Sequence, residues 1–419
     1  QVIEPKRPID VIHETDVLVV GSGPGGLSAA IASARCGVKT TLLERFGCFG
    51  GNITVVGVEG FAWYRHEKTV EAGGIGREFE ELAKEMGAAV PESQSLSYEL
   101  DSEGFKLVAD KLVMDSGIHP MLHRSFSMPI MEGNTVIGVI VESKAGREAI
   151  LSKVVIDATG DADVAFRAGA QLNTLPVEEL MATSVMFHLA GVDKKAFLSE
   201  IQNNPQSYKD WSDSEWEVET DGKEDNLFSP FIKKPFQQAI NDGLLPSDLK
   251  TIGGTWGAVH DTGELTYMNI IQLSNIDGTN PDDLTRGEIE GRKQAMLAIE
   301  ALKKYYPGCE KARLRNFGMS IGIRDTRKLD AVYNMTELDV RKQGKFEDTI
   351  GIYPEFIDGY GLLILPTTGR YMELPYSAML PKNINGLLVT GRATGGDKIS
   401  HAATRNMSCC SVNGQGAGI

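Results

Sequence analysis

The sequence predicts an α/β fold: a Rossmann-like βαβ unit carrying an inserted α+β region. Three observations predict it. The apolar, β-branched run Asp16-Val17-Leu18-Val19-Val20 leads into a glycine-rich turn and a small-residue helical stretch. Two further apolar runs, Val154 to Asp157 and Leu387 to Thr390, also end in small-residue turns, far along the chain. Between about 171 and 320 the pattern changes to scattered strands, one long amphipathic helix and a polar stretch.

Taken in order, Asp16 to Val20 reads as a buried parallel strand and Gly21 to Gly26 as the turn after it. Leu27 to Cys36 is helical, and Gly37 suits its C-terminal stop. Val38 to Leu43 is a second strand, ended by Glu44. Gly76 to Met86 and Gly104 to Ser116 carry helical periodicity. Short strands follow at Met121 to His123, Thr135 to Glu142 and Ala149 to Asp157, with turns at Gly133-Asn134 and Ala145-Gly146. Ser184 to Leu189 and Leu265 to Leu273 are strand-like. Between them, about 192–260, lies a polar stretch with Trp211, Trp216 and the acidic patch Glu215 to Asp225, expected as a surface insertion or lid. Residues 285–305 form an amphipathic helix, Gly361 to Leu365 another strand, and a helix from about Thr404 closes the chain.

Composition narrows the function classes. The 419 residues are 42% hydrophobic and 24% charged, enough for a large core. The net charge of −15 and pI of about 5.0 disfavour nucleic acid, which needs a basic surface. A few local arginines could still bind an acidic substrate. The five cysteines (Cys36, Cys48, Cys309, Cys409 and Cys410) are scattered and form neither a disulfide framework nor a zinc pattern, so no metal is expected. A reducing, cytoplasmic location is expected. No apolar run approaches the roughly 18 residues of a spanning helix, and Gln1 to Glu14 shows no signal-peptide pattern. The chain starts without Met, which points to trimming or an incomplete N-terminus.

The chemistry begins at Gly21-Ser22-Gly23-Pro24-Gly25-Gly26. Gly21 permits the tight turn, Gly23 lets backbone approach a pyrophosphate, and Gly26 lets helix and strand pack closely. The helix start turns N–H groups and a positive dipole end toward phosphates. Glu44, followed by Arg45, closes the second strand, where a carboxylate binds ribose hydroxyls and repels a 2′-phosphate. NAD and FAD share this fingerprint. Gly47 to Asn52, with Gly50, Gly51 and Asn52, adds a second glycine turn suited to a long ligand. Val154 to Asp161, with Ala158, Thr159, Gly160 and Asp161, and Leu387 to Arg392, with Gly391 and Arg392, add two more strand-to-turn segments.

These segments resemble the FAD-dependent oxidoreductases of the glutathione-reductase-like fold. The resemblance is greatest to a bacterial FAD-dependent oxidoreductase family, distantly similar to fumarate reductase flavoproteins. It is carried by 16–52, Ile156 to Gly169, Asn269 to Pro307, Gly322 to Arg327, Leu374 to Tyr376 and Leu387 to Gly418. It implies FAD as cofactor, with Ala158 to Asp161 beside it and Gly391-Arg392 near its pyrophosphate and ribityl chain. It also implies that the last helix, near Arg405-Asn406-Met407, points its N-terminus at the flavin, where that end stabilises the negative charge of reduced flavin. The expected division is 1–170 as the first part of an FAD-binding domain, 171–320 as a substrate or cap domain, and 321–419 as a return to the first. Two departures stand out. The last helix stops at Gly416 to Ile419 without the alanine-rich continuation of related proteins, and Gly395 to Lys398 is an unusual version of the segment before it.

No CxxC pair follows the first unit, which argues against disulfide reduction, and no second GxGxxG follows a strand, which argues against a separate NAD(P)H domain. The expected redox partner is O2, a quinone, a redox protein or a second substrate. Arg324 and Arg327, three apart, would share a helix face and clamp a substrate carboxylate, or else pair with Asp325 or Asp330. His401, just before the last helix, is a candidate proton donor, and Asp397 would orient it or bind the ribityl chain. Cys409 and Cys410 are flavin-adjacent thiols or small buried hydrophobes; Tyr371 and Tyr376 are substrate contacts or packing. The expected function is an FAD-dependent oxidoreductase exchanging a hydride with a small polar or carboxylate-bearing substrate. A flavin monooxygenase and an electron-transfer subunit are the alternatives. A homo-oligomer or a larger complex is compatible with either.

Overall fold

The computed structural model describes residues 2, 6–61, 65–66, 70–91, 98–205, 216–220, 230–249 and 251–419. Its first half is organised around one large sheet. Strand β1 (Val11–Val20) is followed by helix α1 (Pro24–Arg35) and strand β2 (Thr40–Leu43). Helices α2 (Ile75–Glu85) and α3 (Gly104–Asp115) precede β3 (His119–Met121), β4 (Ser125–Glu132), β5 (Thr135–Ser143) and β6 (Gly146–Asp157). The spatial order is β3-β2-β1-β6-β5-β4. β1, β2, β3 and β6 run parallel, and β4, β5 and β6 form an antiparallel meander. The two turns of that meander are Gly133-Asn134 and Lys144-Ala145, with Gly133 and Gly146 at positive φ. Within the large sheet, β4 is the strand that periodicity did not predict. Its burial is irregular and its register shifts twice, which hides the period-2 signal.

Why β1 lacks polar alternation is clear from its packing. Val19 joins the apolar cluster that contains α1 and α3, whereas Leu18 and Val20 join the cluster on the opposite face with β5. Both faces are covered over the second half of the strand, so every position from Val17 to Val20 is apolar, whereas His13 to Asp16 before them are polar. α1 starts with Pro24 at its first turn and ends before Gly37, whose φ is 86°.

The middle of the chain builds a second core. The short helix α4 (Asp163–Ala168) packs on the large sheet, and the second core comprises strand β7 (Phe187–Ala190), helices α5 (Lys194–Asn203) and α6 (Lys234–Asn241), strand β8 (Leu265–Met268), the long helix α7 (Pro281–Tyr305) and strand β9 (Arg313–Phe317). β7 lies between β8 and β9, antiparallel to both. The stretch 192–260, expected as a polar insertion, departs from that reading. Its described residues Phe197, Ile201, Phe236, Leu245 and Trp256 are buried in this core against α7. α5 and α6 each bury one apolar face, so the low apolar content is concentrated rather than absent. Trp211 lies outside the described residues.

The chain then returns through the hairpin of β10 (Ile357–Gly359) and β11 (Leu362–Ile364). Strand β12 (Leu387–Val389) pairs in parallel with the last residues of β6 and so re-enters the large sheet. Instead of one closing helix there are two, α8 (Lys398–Thr404) and α9 (Met407–Gly418), broken at Arg405-Asn406. α9 lies against α1: the Gly414 Cα faces the Gly25 carbonyl, where a Cβ would sit 2.1 Å from the oxygen. Among the described residues, no helix is long and apolar enough to cross a membrane.

Candidate functional site

The parallel strands deliver their carboxyl ends to one edge. Val20 is in register with Leu43 and Asp157, and Asp157 with Val389. Ligands of open α/β sheets bind beyond such ends. A cleft of about 420 Å³ opens there. Gly21 to Gly26, Glu44, Arg45, Gly51, Asn52, Ala158 to Asp161, Gly391, Arg392, Arg405 and Met407 line it.

The glycine turn is shaped by close approach. Gly21 has φ 98°, and a Cβ on it would lie 2.4 Å from the Ala158 carbonyl oxygen. A Cβ on Gly26 would lie 1.9 Å from the Gly21 oxygen. Gly23, by contrast, faces open space, and no side chain caps the first turn of α1. Gly50 stands behind the cleft: its N–H donates to the Ser22 carbonyl over 2.9 Å and ties the second glycine turn to the first. Glu44 is buried; its Oε2 accepts from Ser22 N–H (2.9 Å) and Ser22 Oγ (2.6 Å), and its Oε1 from Phe46 N–H (3.0 Å). A carboxylate has about four lone-pair sites, so about one is left for a ligand hydroxyl.

Asp157 shapes the turn after β6. Its Oδ1 accepts from Thr159 Oγ1 and its Oδ2 from Ala165 N–H, while burial pushes its carboxyl up to about 6. Asp161 Oδ1 accepts from Arg392 (2.5 Å) and from Thr326 Oγ1 (2.7 Å), joining three distant segments at the cleft wall. A residue without a local signal fixes the last turn: Asn413, inside α9, accepts from Gly391 N–H and Thr390 Oγ1. Its role depends on α9 folding back across β12, which no sequence window reports.

A second cavity of about 450 Å³ adjoins the first. The two share Asn52, Ile323, Arg392, Arg405 and Met407 as lining residues. Arg324, Tyr267, Asn269, Tyr360, Trp216 and Asn406 line the second alone. Arg324 donates to the Ala182 carbonyl (2.6 Å) and to Asn269 Oδ1 (2.9 Å). Both acceptors are neutral, and no carboxylate lies within ion-pair distance of it among the described residues. Burial first, and then the neighbouring Arg405, lowers its pKa. Arg405 donates to the carbonyl and carboxylate of Asp358.

Three expectations need correction. Arg324 and Arg327 lie on an irregular segment, not a helix, and they part company. Arg324 faces the second cavity, whereas Arg327 pairs with Asp163 (2.6 Å), stacks on Phe166 and lines the cleft. Consecutive side chains of extended backbone diverge, so spacing of three brings nothing together there. His401 is inside α8, 2% exposed, and lines neither cavity. Its Nε2–H donates to the Arg324 carbonyl (3.0 Å), and burial, then Lys328, pushes it down to about 3. It is a neutral packed imidazole, not a proton donor to a ligand. Asp397 is the N-cap of α8: its two oxygens accept from Ser400 and Glu337 N–H groups, away from the cleft.

Cys410 lines the cleft, but burial pushes its thiol up to about 12, and Cys409 is raised by burial as well. Neither is a thiolate, the nucleophilic form. Tyr371 and Tyr376 line neither cavity.

The buried Nε atoms of Arg327, Arg392 and Arg405, three residues of the cleft wall, have no hydrogen-bond partner. Each of these guanidinium groups is paired with an aspartate through its terminal nitrogens, yet keeps a free Nε–H beside an open glycine turn and an uncapped helix start, an arrangement that fits a pyrophosphate. A parallel sheet of Rossmann type with this cleft at its carboxyl edge defines a dinucleotide-binding α/β protein. The chain belongs to the FAD dependent oxidoreductase family, which matches residues 16–419. A thiamine thiazole synthase from Metallosphaera sedula is 32% identical over 173 residues, 39% of this chain and 60% of that protein. The chain thus spans about 60% of the length of the curated relatives it matches. Among solved structures, a geranylgeranyl bacteriochlorophyll reductase-like protein from Thermoplasma acidophilum is 16% identical, with a TM-score of 0.43 over 86% of this chain and 74% of that one. The glycerol-3-phosphate dehydrogenase from Bacillus halodurans, complexed with FAD, is 16% identical, with a TM-score of 0.32 over 44% of this chain and 41% of that one.

Proposed function

We propose that this flavoprotein exchanges a hydride with a small, polar, carboxylate-bearing organic substrate held in the second cavity. The observation that carries the proposal is the shared wall of the two cavities at Asn52, Arg392, Arg405 and Met407. A substrate in one then abuts a cofactor in the other. FAD, when bound, supplies hydride exchange at N5 of its flavin.

The chain's own residues do the rest. Gly21 to Gly26 and the start of α1 hold the pyrophosphate, and Glu44 takes a ribose hydroxyl. The N-terminus of α9, entered at Asn406-Met407, turns its positive end to the junction and stabilises negative charge there. Arg324 binds the substrate's carboxylate. A half-buried guanidinium set against neutral acceptors is costly unless an anion completes it. Arg405 lines the same cavity and adds a second positive charge.

The test is an anaerobic screen of organic acids and neutral analogues for bleaching of the bound flavin. Acids are expected to bleach it. Arg324→Ala should need at least tenfold more acid, the loss of about 1.4 kcal/mol of binding. Bleaching by neutral compounds alone, or an Arg324→Ala protein that bleaches like its parent, would sink the acid assignment.

A further inference from the structure

Tyr360 occupies a position that a tyrosine seldom takes. It is the first residue of the two-residue turn between β10 and β11, where Gly359 pairs with Leu362. Its φ is 54° and that of Gly361 is 80°. Positive φ at both turn residues defines the type I′ hairpin turn, whose first position favours Asn, Asp or Gly. A bulky aromatic side chain there is strained, and such strain persists only where surrounding contacts hold it.

The holding contact is at the far end of the side chain. The phenol O–H of Tyr360 donates to Asp325 Oδ2. Asp325 is fully buried, and its Oδ1 accepts from the buried Lys328 Nζ at 2.5 Å. His401 Nε2 stands 3.5 Å away. Burial alone would raise the Asp325 carboxyl, but the Lys328 ammonium against it pulls it below the ordinary range, so it is an anion. Burial and this anion both push the Tyr360 phenol upward, so it keeps its proton. A phenol has one proton. With that proton committed to Asp325, Oη can offer a ligand in the cavity only lone pairs.

Tyr360 lines the second cavity together with Arg324 and Arg405. Arg324 directly precedes Asp325 in the chain, so one short segment supplies both a guanidinium to the cavity and the anchor of the phenol. A ligand that satisfies both needs an anionic group and, beside it, a hydrogen-bond donor. A second carboxylate fails, because Oη has no proton to give and the Asp325 anion lies behind it. An ammonium donor is opposed by Arg324, Arg392 and Arg405, which line the same cavity with Asp358 as an acid among them. A hydroxyl meets neither objection.

We propose that Tyr360 is a specificity-determining residue: its phenol oxygen accepts from a hydroxyl beside the substrate's carboxylate, which makes the substrate class a hydroxy acid. This rests on the assignment of the second cavity as an anion site. Specificity arises because an acid lacking the hydroxyl leaves a committed acceptor unsatisfied.

The FAD-loaded protein is titrated with glycolate, acetate and glycine, and binding is read from the flavin difference spectrum. Glycolate is expected to bind on the order of fivefold more tightly than acetate, the worth of one neutral hydrogen bond, and glycine more weakly than glycolate. Tyr360→Phe should collapse the glycolate-to-acetate ratio to about one. Tyr360→Asn, which suits the turn, should collapse it too while melting no lower than the parent, which separates recognition from folding. If both acids bind the parent equally, or Tyr360→Phe keeps the preference, the role of Tyr360 is overturned and the anion site stands. If neither acid perturbs the flavin, the anion site fails, and the assignment of Tyr360 fails with it.

Discussion

At the residue scale, burial decides which charged groups can act. His401 is buried and Arg324 half-buried, and the imidazole Nε2–H of His401 donates to the Arg324 carbonyl, yet only the arginine reaches a cavity. The imidazole sits under the segment that carries Arg324 and Asp325. Its folded pKa of about 3 lies below the ordinary 6.5, so the folded state binds fewer protons than the unfolded chain between those values. This contribution is fully present above pH 6.5 and is lost as pH falls toward 3. One proton accounts for at most about 1.4 kcal/mol per pH unit. His401→Gln keeps an N–H donor for the Arg324 carbonyl and removes the titration. Urea midpoints measured at pH 7 and pH 5 should therefore differ less in the variant than in the parent. Equal differences would rule His401 out as an acid-sensitive point.

At the element scale, the cofactor cleft depends on two helices that are distant in sequence. α1 supplies the uncapped helix start, and α9 lies across it with glycine against carbonyl. A Cβ on Gly414 would stand 2.1 Å from the Gly25 oxygen, and one on Gly418 2.3 Å from the Ala29 oxygen. Backbone cannot retreat as a side chain can. Gly414→Ala should cost about 1–3 kcal/mol in urea unfolding and lower the flavin-to-protein absorbance ratio of purified protein, since it displaces the end of α1. Gly416 is the control. The nearest atoms to a Cβ there belong to the Ile350 side chain and not to α1, so Gly416→Ala should keep more flavin than Gly414→Ala. If the two variants behave alike, the α1–α9 contact does not govern cofactor retention.

At the scale of the whole molecule, the cleft is closed from both sides. The sheet's carboxyl edge forms one wall, and Gly278, Thr279, Leu284, Ser320 and Ile321 from the second core's surroundings form the other. A ligand held by both walls stabilises the folded state by mass action. FAD at a hundred times its dissociation constant should add about 2.7 kcal/mol. Thermal melts of the FAD-stripped protein should move upward with each addition of FAD. A melting temperature indifferent to FAD would mean that this cleft is not where FAD binds.

Much of this was legible in the sequence, for local reasons. Leu18 to Val20 had to be buried on both faces because they are uniformly apolar, and Gly21 and Gly37 marked φ values that other residues resist. The segments that meet at the sheet edge all carried the same strand-into-glycine signal, and Glu44 marked the end of β2. What the sequence alone determined was therefore the parallel sheet and the residues at its carboxyl ends. Only the tertiary structure decided which charges face a ligand. Arg324 reaches the Ala182 carbonyl, Arg392 reaches Asp161, Gly391 reaches Asn413 and Tyr360 reaches Asp325 through contacts between segments far apart in the chain. Periodicity and turn preference describe a residue and its near neighbours. Whether a side chain meets a cavity, a carbonyl or an anion depends on segments brought together only by packing.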